Sequence, residues 1–340
     1  RMSLRDKMLA VMADVNSAVA EREELVELIA IALLTRKNLF ILGDPGQAKS
    51  YAINAFRSRI TGAKQFERLL SKQTDEEQLF GRLDLSSLIP GSVPESAFEG
   101  DGIYQNLRFD LQSFLNGLPK MKNETATFDK LAEISGKLDA YRKAIAALHP
   151  CEPVVQTAGK LPEADIVFLD EIFKCNDGVL NALLTALNER KYTNEGRTYP
   201  IPTISFFAAS NEIPNFNNPE EKCLRALYDR FDFKVCTRNV ENRSNRMKIL
   251  KAKENGTDCY IGTTFTLDEL WHMQDEVKAV TVPNSIYEIT DNILCELRRK
   301  EISVSDRTYF NFAPVAKAEA WLNGRDTVEP TERMGRGNYL

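Results

Sequence analysis

The stretch from Leu39 to Arg59 constrains the chain more than any other. Leu39-Phe40-Ile41-Leu42 is a short apolar run, Gly43-Asp44-Pro45-Gly46-Gln47-Ala48-Lys49-Ser50 turns the chain, and Tyr51 to Arg59 suits a helix. Strand, glycine-rich turn, Lys-Ser and helix is the layout of a phosphate-binding loop. Backbone N–H groups in such a turn form a concave anion site, and the following helix points its positive end at it. Lys49 would neutralise β- and γ-phosphate oxygens, and the Ser50 hydroxyl would join a Mg²⁺ shell. Ala48 stands where the pattern usually has glycine. A residue entering a helix needs no positive φ, and alanine is the better helix former. The plainer alternative is a loop-to-helix turn with a chance Lys-Ser pair.

A second element completes the first. Ile166-Val167-Phe168-Leu169-Asp170-Glu171 reads as a buried strand running into two carboxylates. Paired carboxylates at a strand end are costly unless a cation or substrate uses them. Asp170 can hold a water of a Mg²⁺ shell, and Glu171 can orient the water that attacks a γ-phosphate. The next strand, Thr203–Ala209, ends at Ser210-Asn211. Asn211 there could reach both phosphate and water, although Asn is also a common turn residue. Arg230 lies between a helix and a strand, and Arg307 opens the last helix of the small domain. An arginine delivered in trans could neutralise charge on a transferred phosphoryl group, and one delivered by a small domain could report nucleotide state. Each is otherwise read as a surface ion pair.

Composition narrows the setting. The 340 residues allow about two domains, and 43% hydrophobic with 27% charged residues is globular. A net charge of −5 speaks against a dedicated nucleic-acid binder. Six cysteines without a C-x-x-C pair read as reduced thiols of a cytoplasmic protein. No apolar run approaches membrane-spanning length and no leader is evident. Two histidines, His149 and His272, make histidine chemistry a poor prospect.

Along the chain, 3–20 and 21–35 read as amphipathic helices. The loop strand and its helix follow, then a strand at 65–70 and a short helix at 75–81. Residues 91–158 read as an insertion, part loop and part helix. Its helix, 124–148, carries Leu131, Ile134, Leu138, Tyr141, Ile145 and Leu148 on one stripe. Helix 176–190, a hairpin over Lys191–Pro202, the strand at 203–209, a helix at 220–228 and a strand at 231–236 complete an α/β core with a parallel sheet between helices. From 238 the chain reads as helices at 240–252, 266–279, 284–299 and 305–322, with no strand. The expected organisation is a nucleotide-binding core over 1–237, a small all-α lid over 238–330 and a polar tail over 331–340.

This order of elements resembles the P-loop NTPases of the AAA+ class, within them the MoxR group, and more closely its RavA-like (regulatory ATPase variant A) branch. Leu42–Ser50, Glu77–Leu85, Leu161–Lys174, Asn181–Arg190, Ala208–Glu212, Ala226–Arg230 and Val304–Arg307 carry the likeness, together with Asn323-Gly324-Arg325. The resemblance implies ATP hydrolysis to ADP and phosphate with Mg²⁺. Gly43, Asp44, Pro45, Gly46, Gln47, Ala48, Lys49, Ser50 and Tyr51 would hold the nucleotide. Ser50 and Asp170 would serve the metal, Asp170 through water. Glu171 would be the Walker B base, Asn211 sensor 1, Arg230 the arginine finger and Arg307 sensor 2. It also implies a homo-oligomeric ring, usually a hexamer, that remodels a protein partner in chaperone-like fashion beside a von Willebrand A-domain protein. Two departures stand out: 91–158 exceeds the segment expected of the branch, and the chain stops soon after the lid. Asp84-Leu85-Ser86-Ser87-Leu88 is not a D-x-S-x-S metal motif. Competing readings are a nucleotide-gated scaffold with little turnover, a chelatase-type subunit and a nucleic-acid motor. A small-molecule kinase would leave hairpin and lid without a role.

Overall fold

The structure, a computed structural model, describes residues 1–43, 49–89, 98, 100–120, 122–148, 153–194, 196–256 and 261–330. The described elements form two compact units, one from Arg1–Phe80 with Ala158–Leu340 and one over Gly81–Thr157.

The first unit begins with helices α1 (Leu4–Ala18) and α2 (Glu23–Thr35), followed by strand β1 (Leu39–Leu42) and α3 (Lys49–Arg57). Two short pieces, β2 (Ile60–Thr61) and β3 (Gln65–Leu69), lead to α4 (Glu76–Phe80). The second unit holds β4 (Arg82–Leu83), α5 (Gly102–Gly117), α6 (Glu124–Leu148) and β5 (Val155–Gln156). The chain returns with β6 (Ile166–Asp170), α7 (Asp177–Glu189), the hairpin β7 (Lys191–Asn194) and β8 (Arg197–Pro200), and β9 (Ser205–Ser210). Helix α8 (Leu224–Tyr228), β10 (Phe233–Cys236), α9 (Arg243–Glu254) and β11 (Phe265–Thr266) follow. The last helices are α10 (Leu267–Lys278), α11 (Asn284–Arg299), α12 (Asp306–Phe310) and α13 (Phe312–Leu322).

Five strands form one parallel sheet in the order β10-β1-β9-β6-β3. The three central strands β1, β9 and β6 are near-continuous apolar runs because both faces are covered, whereas the edge strand β3 is mostly polar and exposed. Alternate residues serve the two sides. Leu39, Ile41, Ile166, Phe168, Phe207 and Ala209 join a core with α1, α2 and α3. Phe40, Val167, Leu169, Phe206 and Ala208 join a second core with α7.

Among the described residues, most buried apolar groups of the helices after 243 join the core of α1 and α2. Leu270, Met273 and Val277 of α10, Ile286 of α11 and Trp321 of α13 belong to the same cluster as α1 and α2. This explains α2, whose apolar residues are buried all round: one side faces the sheet and the other the lid helices. The expectation of no strand beyond 238 is corrected by β11, which pairs in parallel with β2. Two residues on each side are too few to leave a period in the sequence.

In the second unit α5 and α6 pair along heptad-like stripes. Tyr104 and Phe114 of α5 are buried, and Leu131, Ile134, Leu138, Tyr141 and Ile145 of α6 are half-buried. Leu148, expected on that stripe, is 81% exposed. Asp101 caps α5 by accepting from the Ile103 and Tyr104 amides, and also accepts from Tyr141 Oη at 2.6 Å. Gly81 has φ +103°, and a Cβ there would meet the Gln156 carbonyl oxygen at 2.1 Å, so only glycine suits this end of the β4–β5 pair.

Leu270→Ala should lower stability by about 2–5 kcal/mol, the range for a fully buried leucine. Thermal melts should show the whole first unit losing stability, because α10 and the sheet share one core. A low-temperature transition confined to the C-terminal helices would contradict that.

Candidate nucleotide site at the carboxyl edge of the sheet

Parallel strands deliver their carboxyl ends to one edge. Leu42 pairs with Ser210 on one side and Cys236 on the other, and Asp170 pairs with Ala209. The Gly43 amide donates to the Ser210 carbonyl at 3.1 Å, and the Thr237 amide to the Leu42 carbonyl at 2.8 Å. Thus Gly43, Asp170, Asn211 and Thr237 share an edge before any side chain is considered.

Lys49, at the start of α3, is 9% exposed. Its Nζ donates to the Gly43 carbonyl at 2.8 Å and to Asn211 Oδ1. Asn211 Nδ2 in turn donates to Glu171 Oε1 at 2.7 Å. Lysine, asparagine and glutamate therefore form one chain of hydrogen bonds across the ends of β1, β9 and β6. Both acceptors on the buried ammonium are neutral oxygens, which leaves it suited to an anion.

Glu171 has φ 53° and ψ 47°, a left-handed conformation unusual for a non-glycine residue. It costs about 1–3 kcal/mol and persists only where the surroundings enforce it. Here its amide donates to Asp170 Oδ1 at 2.8 Å, and its carboxylate meets Asn211 and, at 3.4 Å, Lys174 Nζ. The twist turns the carboxylate back toward the edge at the point where the strand would carry it away. Burial raises the Asp170 carboxyl above its ordinary value, and the Glu171 charge acts in the same direction. The Glu171 amide and the Lys49 charge oppose them.

Ser50 and Tyr51 follow Lys49 on the first turn of α3. Tyr51 lines an apolar cavity with Val19, Ala20, Val240 and Ile249. The segment between α1 and α2 is fastened over this region: Arg22 Nη2 donates to the Arg238 carbonyl at 2.6 Å, and Glu21 accepts from the amides of Glu241 and Asn242 at 2.9 Å each. A second cavity is lined by Gly43, Asn211, Thr237 and Arg238. Val19, Ala20 and Arg238 escaped the sequence reading because no motif marks them. Asp44, Pro45, Gly46, Gln47 and Ala48, expected to cradle phosphate, lie outside the described residues.

The two arginines lie together elsewhere. Arg230 precedes β10, so it sits at the amino edge of the sheet, roughly 13 Å of strand away at 3.3 Å per residue. Its Nε is buried and finds no hydrogen-bond partner among the described residues. Arg307 is at the same edge: Nη1 donates to the Asp229 carbonyl at 2.7 Å and Nη2 to Asn188 Oδ1 at 3.0 Å. The fold thus gathers Lys49, Asp170, Glu171 and Asn211 at one edge, and Arg230 and Arg307 at the other.

Comparison with known proteins decides the lineage. Residues 6–100 and 124–264 match the family model described as the MoxR domain in the MoxR-vWA-beta-propeller ternary systems, and residues 281–334 match an AAA lid domain. The chain belongs to the MoxR family of AAA+ ATPases. Two Methanocaldococcus jannaschii relatives, Uncharacterized proteins MJ0079 and MJ0812, are 32% identical over 323 residues and 30% over 319. Those alignments span 95% and 94% of this chain, and 67% of each relative. A crystal structure from Cytophaga hutchinsonii, whose ATPase description is itself provisional, superposes with a TM-score of 0.65 over 97% of this chain and 84% of that one at 17% identity. That likeness speaks for the fold alone. The P-loop α/β core with a helical lid is therefore the architecture of this MoxR-family chain. Within the family match the stretch 101–123, which includes α5, is unmatched. Among the described residues no helix is long and apolar enough to cross a membrane.

Asp170→Asn should raise the melting temperature of the nucleotide-free protein near neutral pH. A carboxyl whose folded pKa is raised binds protons more tightly when folded, so its charge costs stability once pH exceeds the folded value. The gain should vanish at pH below the ordinary carboxylate range, as melts from acid to neutral pH would show. An equal gain at every pH would rule out the charge as its cause.

Proposed function

We propose that this chain binds ATP with Mg²⁺ at the carboxyl edge and hydrolyses it to ADP and phosphate. The chain of contacts from Lys49 through Asn211 to Glu171, with Asp170 beside it, carries this reading. Gly43 to Tyr51 form the phosphate cradle, and the apolar cavity beside Tyr51 takes the adenine. Lys49 binds the β- and γ-phosphate oxygens. Asn211, already bonded to both Lys49 and Glu171, sits between phosphate and base. Glu171 orients the attacking water and accepts its proton. Ser50 and Asp170 hold Mg²⁺, Asp170 through water. Bound there, the metal offsets charge on the phosphates. Two oxygen donors suit a cation that keeps several waters and arrives on phosphate. Among the described residues no cluster of three or more His, Cys, Asp or Glu forms a metal cage of its own.

Arg230 and Arg307 complete the site from outside. A cation at the opposite edge cannot reach its own subunit's phosphates, yet a head-to-tail ring sets that edge against a neighbour's. The placement of Arg230 beside Arg307 at that edge supports Arg230 as the finger and Arg307 as the sensor that reports nucleotide state. We accordingly read the protein as a ring, with six subunits as the family resemblance implies, organised as core 1–237, lid 238–330 and tail 331–340. The description of the matched family supports a von Willebrand A-domain partner on another chain. Chaperone-like remodelling of that partner in the cytoplasm, and kinship with the RavA-like branch through Leu161–Lys174 and Leu187–Arg190, complete the reading.

A nucleotide-gated scaffold with little turnover is the second reading. Both Glu171 carboxylate oxygens are engaged, one by Asn211 and one by Lys174, which describes a restrained base. Glu171→Gln separates the two. Under the first reading it binds ATP but lowers steady-state turnover about 10²–10⁴-fold, the usual weight of a general base. Lys49→Ala should instead abolish nucleotide binding in a fluorescent-ATP titration. Unchanged turnover in Glu171→Gln would favour the scaffold.

A further inference from the structure

One buried amide joins the hairpin to the arginine edge. Asn38 immediately precedes β1 and is 3% exposed. A buried carboxamide is costly unless its groups are bonded. Its Oδ1 accepts from Arg190 Nη2 at 2.8 Å and from the Phe206 amide at 3.2 Å. Its Nδ2 donates to the Arg230 carbonyl at 3.2 Å. Its backbone amide donates to Asp232 Oδ2 at 3.0 Å. Both acceptor lone pairs and one donor proton of the side chain are thereby used.

The partners on either side explain what this bridge connects. Arg190 has φ 52° at the end of α7, and the next residue opens β7. The Ile201 amide closes the base of the hairpin on the Arg190 carbonyl at 2.7 Å. The guanidinium lies 4.7 Å from the Phe206 ring centroid and donates to the Leu187 carbonyl at 3.1 Å. Burial lowers Arg190 to about 10, so it stays charged near neutral pH. On the other side, Asp232 Oδ1 accepts from Asn311 Nδ2 at 2.9 Å, and Asn311 Oδ1 accepts from Lys37 Nζ at 2.9 Å. Asn311 follows α12, the helix that carries Arg307. A displacement of the hairpin base therefore moves Arg190, and through Asn38 the carbonyl of Arg230.

We propose that Asn38 is a positioning residue that fixes Arg230 at the subunit edge and ties its placement to the hairpin. The inference rests on the reading of Arg230 as acting on a neighbour's nucleotide. Among the described residues the bonds of Asn38 go to Arg190, Phe206, Arg230 and Asp232 and not to Lys49, Asp170, Glu171 or Asn211, and the test exploits that.

Asn38→Ala, Arg230→Ala, the double variant and Glu171→Gln are compared in steady-state ATP hydrolysis, fluorescent-ATP binding and sedimentation. Asn38→Ala should lower kcat roughly 10- to 100-fold, the cost of a small misplacement, while KM, ATP affinity and assembly stay as in the parent. The double variant should be no slower than Arg230→Ala, since both remove one function. Mixed with Glu171→Gln subunits, Asn38→Ala and Arg230→Ala should each regain activity, because such rings contain interfaces with an intact base and an intact arginine. Multiplied losses in the double variant, a weakened ATP affinity, or restoration of Arg230→Ala but not of Asn38→Ala would overturn the proposal. If neither is restored, the trans reading of Arg230 fails, and the proposal with it. Should Asn38→Ala not assemble, Asn38→Asp takes its place: it keeps the acceptor contacts, adds a charge beside Arg190, and sets an oxygen instead of a donor against the Arg230 carbonyl. The same outcomes decide.

Discussion

The register of β1 between β9 and β10 is the constraint on which the rest depends. Leu42 opposite both Ser210 and Cys236 brings the Gly43 turn level with the ends of its neighbours. Because side chains alternate across a sheet, a slip of one residue would move every apolar group to the wrong core. Burial on both faces therefore locks the edge, and the edge collects Lys49, Asp170, Glu171 and Asn211. Chemistry appears there because strand ends are where the backbone of a doubly covered sheet can carry polar groups to solvent.

The polar groups at that edge are held under tension. A buried ammonium satisfied by neutral oxygens, a carboxyl whose ionisation burial opposes, and a glutamate in a left-handed conformation all cost stability. Such features persist because the sheet beneath them is buried on both faces. The opposite edge is built differently. Arg307 and Arg190 are tied down by carbonyls and amides, whereas the buried Nε of Arg230 finds no partner among the described residues. The carboxylates and Lys49 thus stand one strand length away from Arg230 and Arg307.

The parts of the fold and site legible in the sequence are those with chemistry concentrated in adjacent residues. Gly43 to Ser50, Asp170-Glu171 and Asn211 stand out because an apolar run feeds directly into polar groups, and the structure brings Lys49, Asp170, Glu171 and Asn211 together. Parallel sheet and flanking helices followed from the same runs. What was not legible depends on tertiary placement. Nothing in the local sequence says that Arg307 lies across the sheet from Lys49, since that follows from how α12 meets the Asp229 carbonyl. Asn38 is one polar residue before a strand, ordinary until its four partners from distant segments are seen. The β2–β11 pair is too short for periodicity, and the lid helices look independent until α2 is found buried on both sides.

The proposed ring divides each active site between two subunits. Specific ATP hydrolysis activity measured against protein concentration, with sedimentation on the same samples with and without ATP, tests it most directly. If the carboxyl edge of one subunit works with the arginine edge of the next, activity per subunit rises with concentration in step with assembly. Activity that is independent of concentration in a protein that stays monomeric would contradict it.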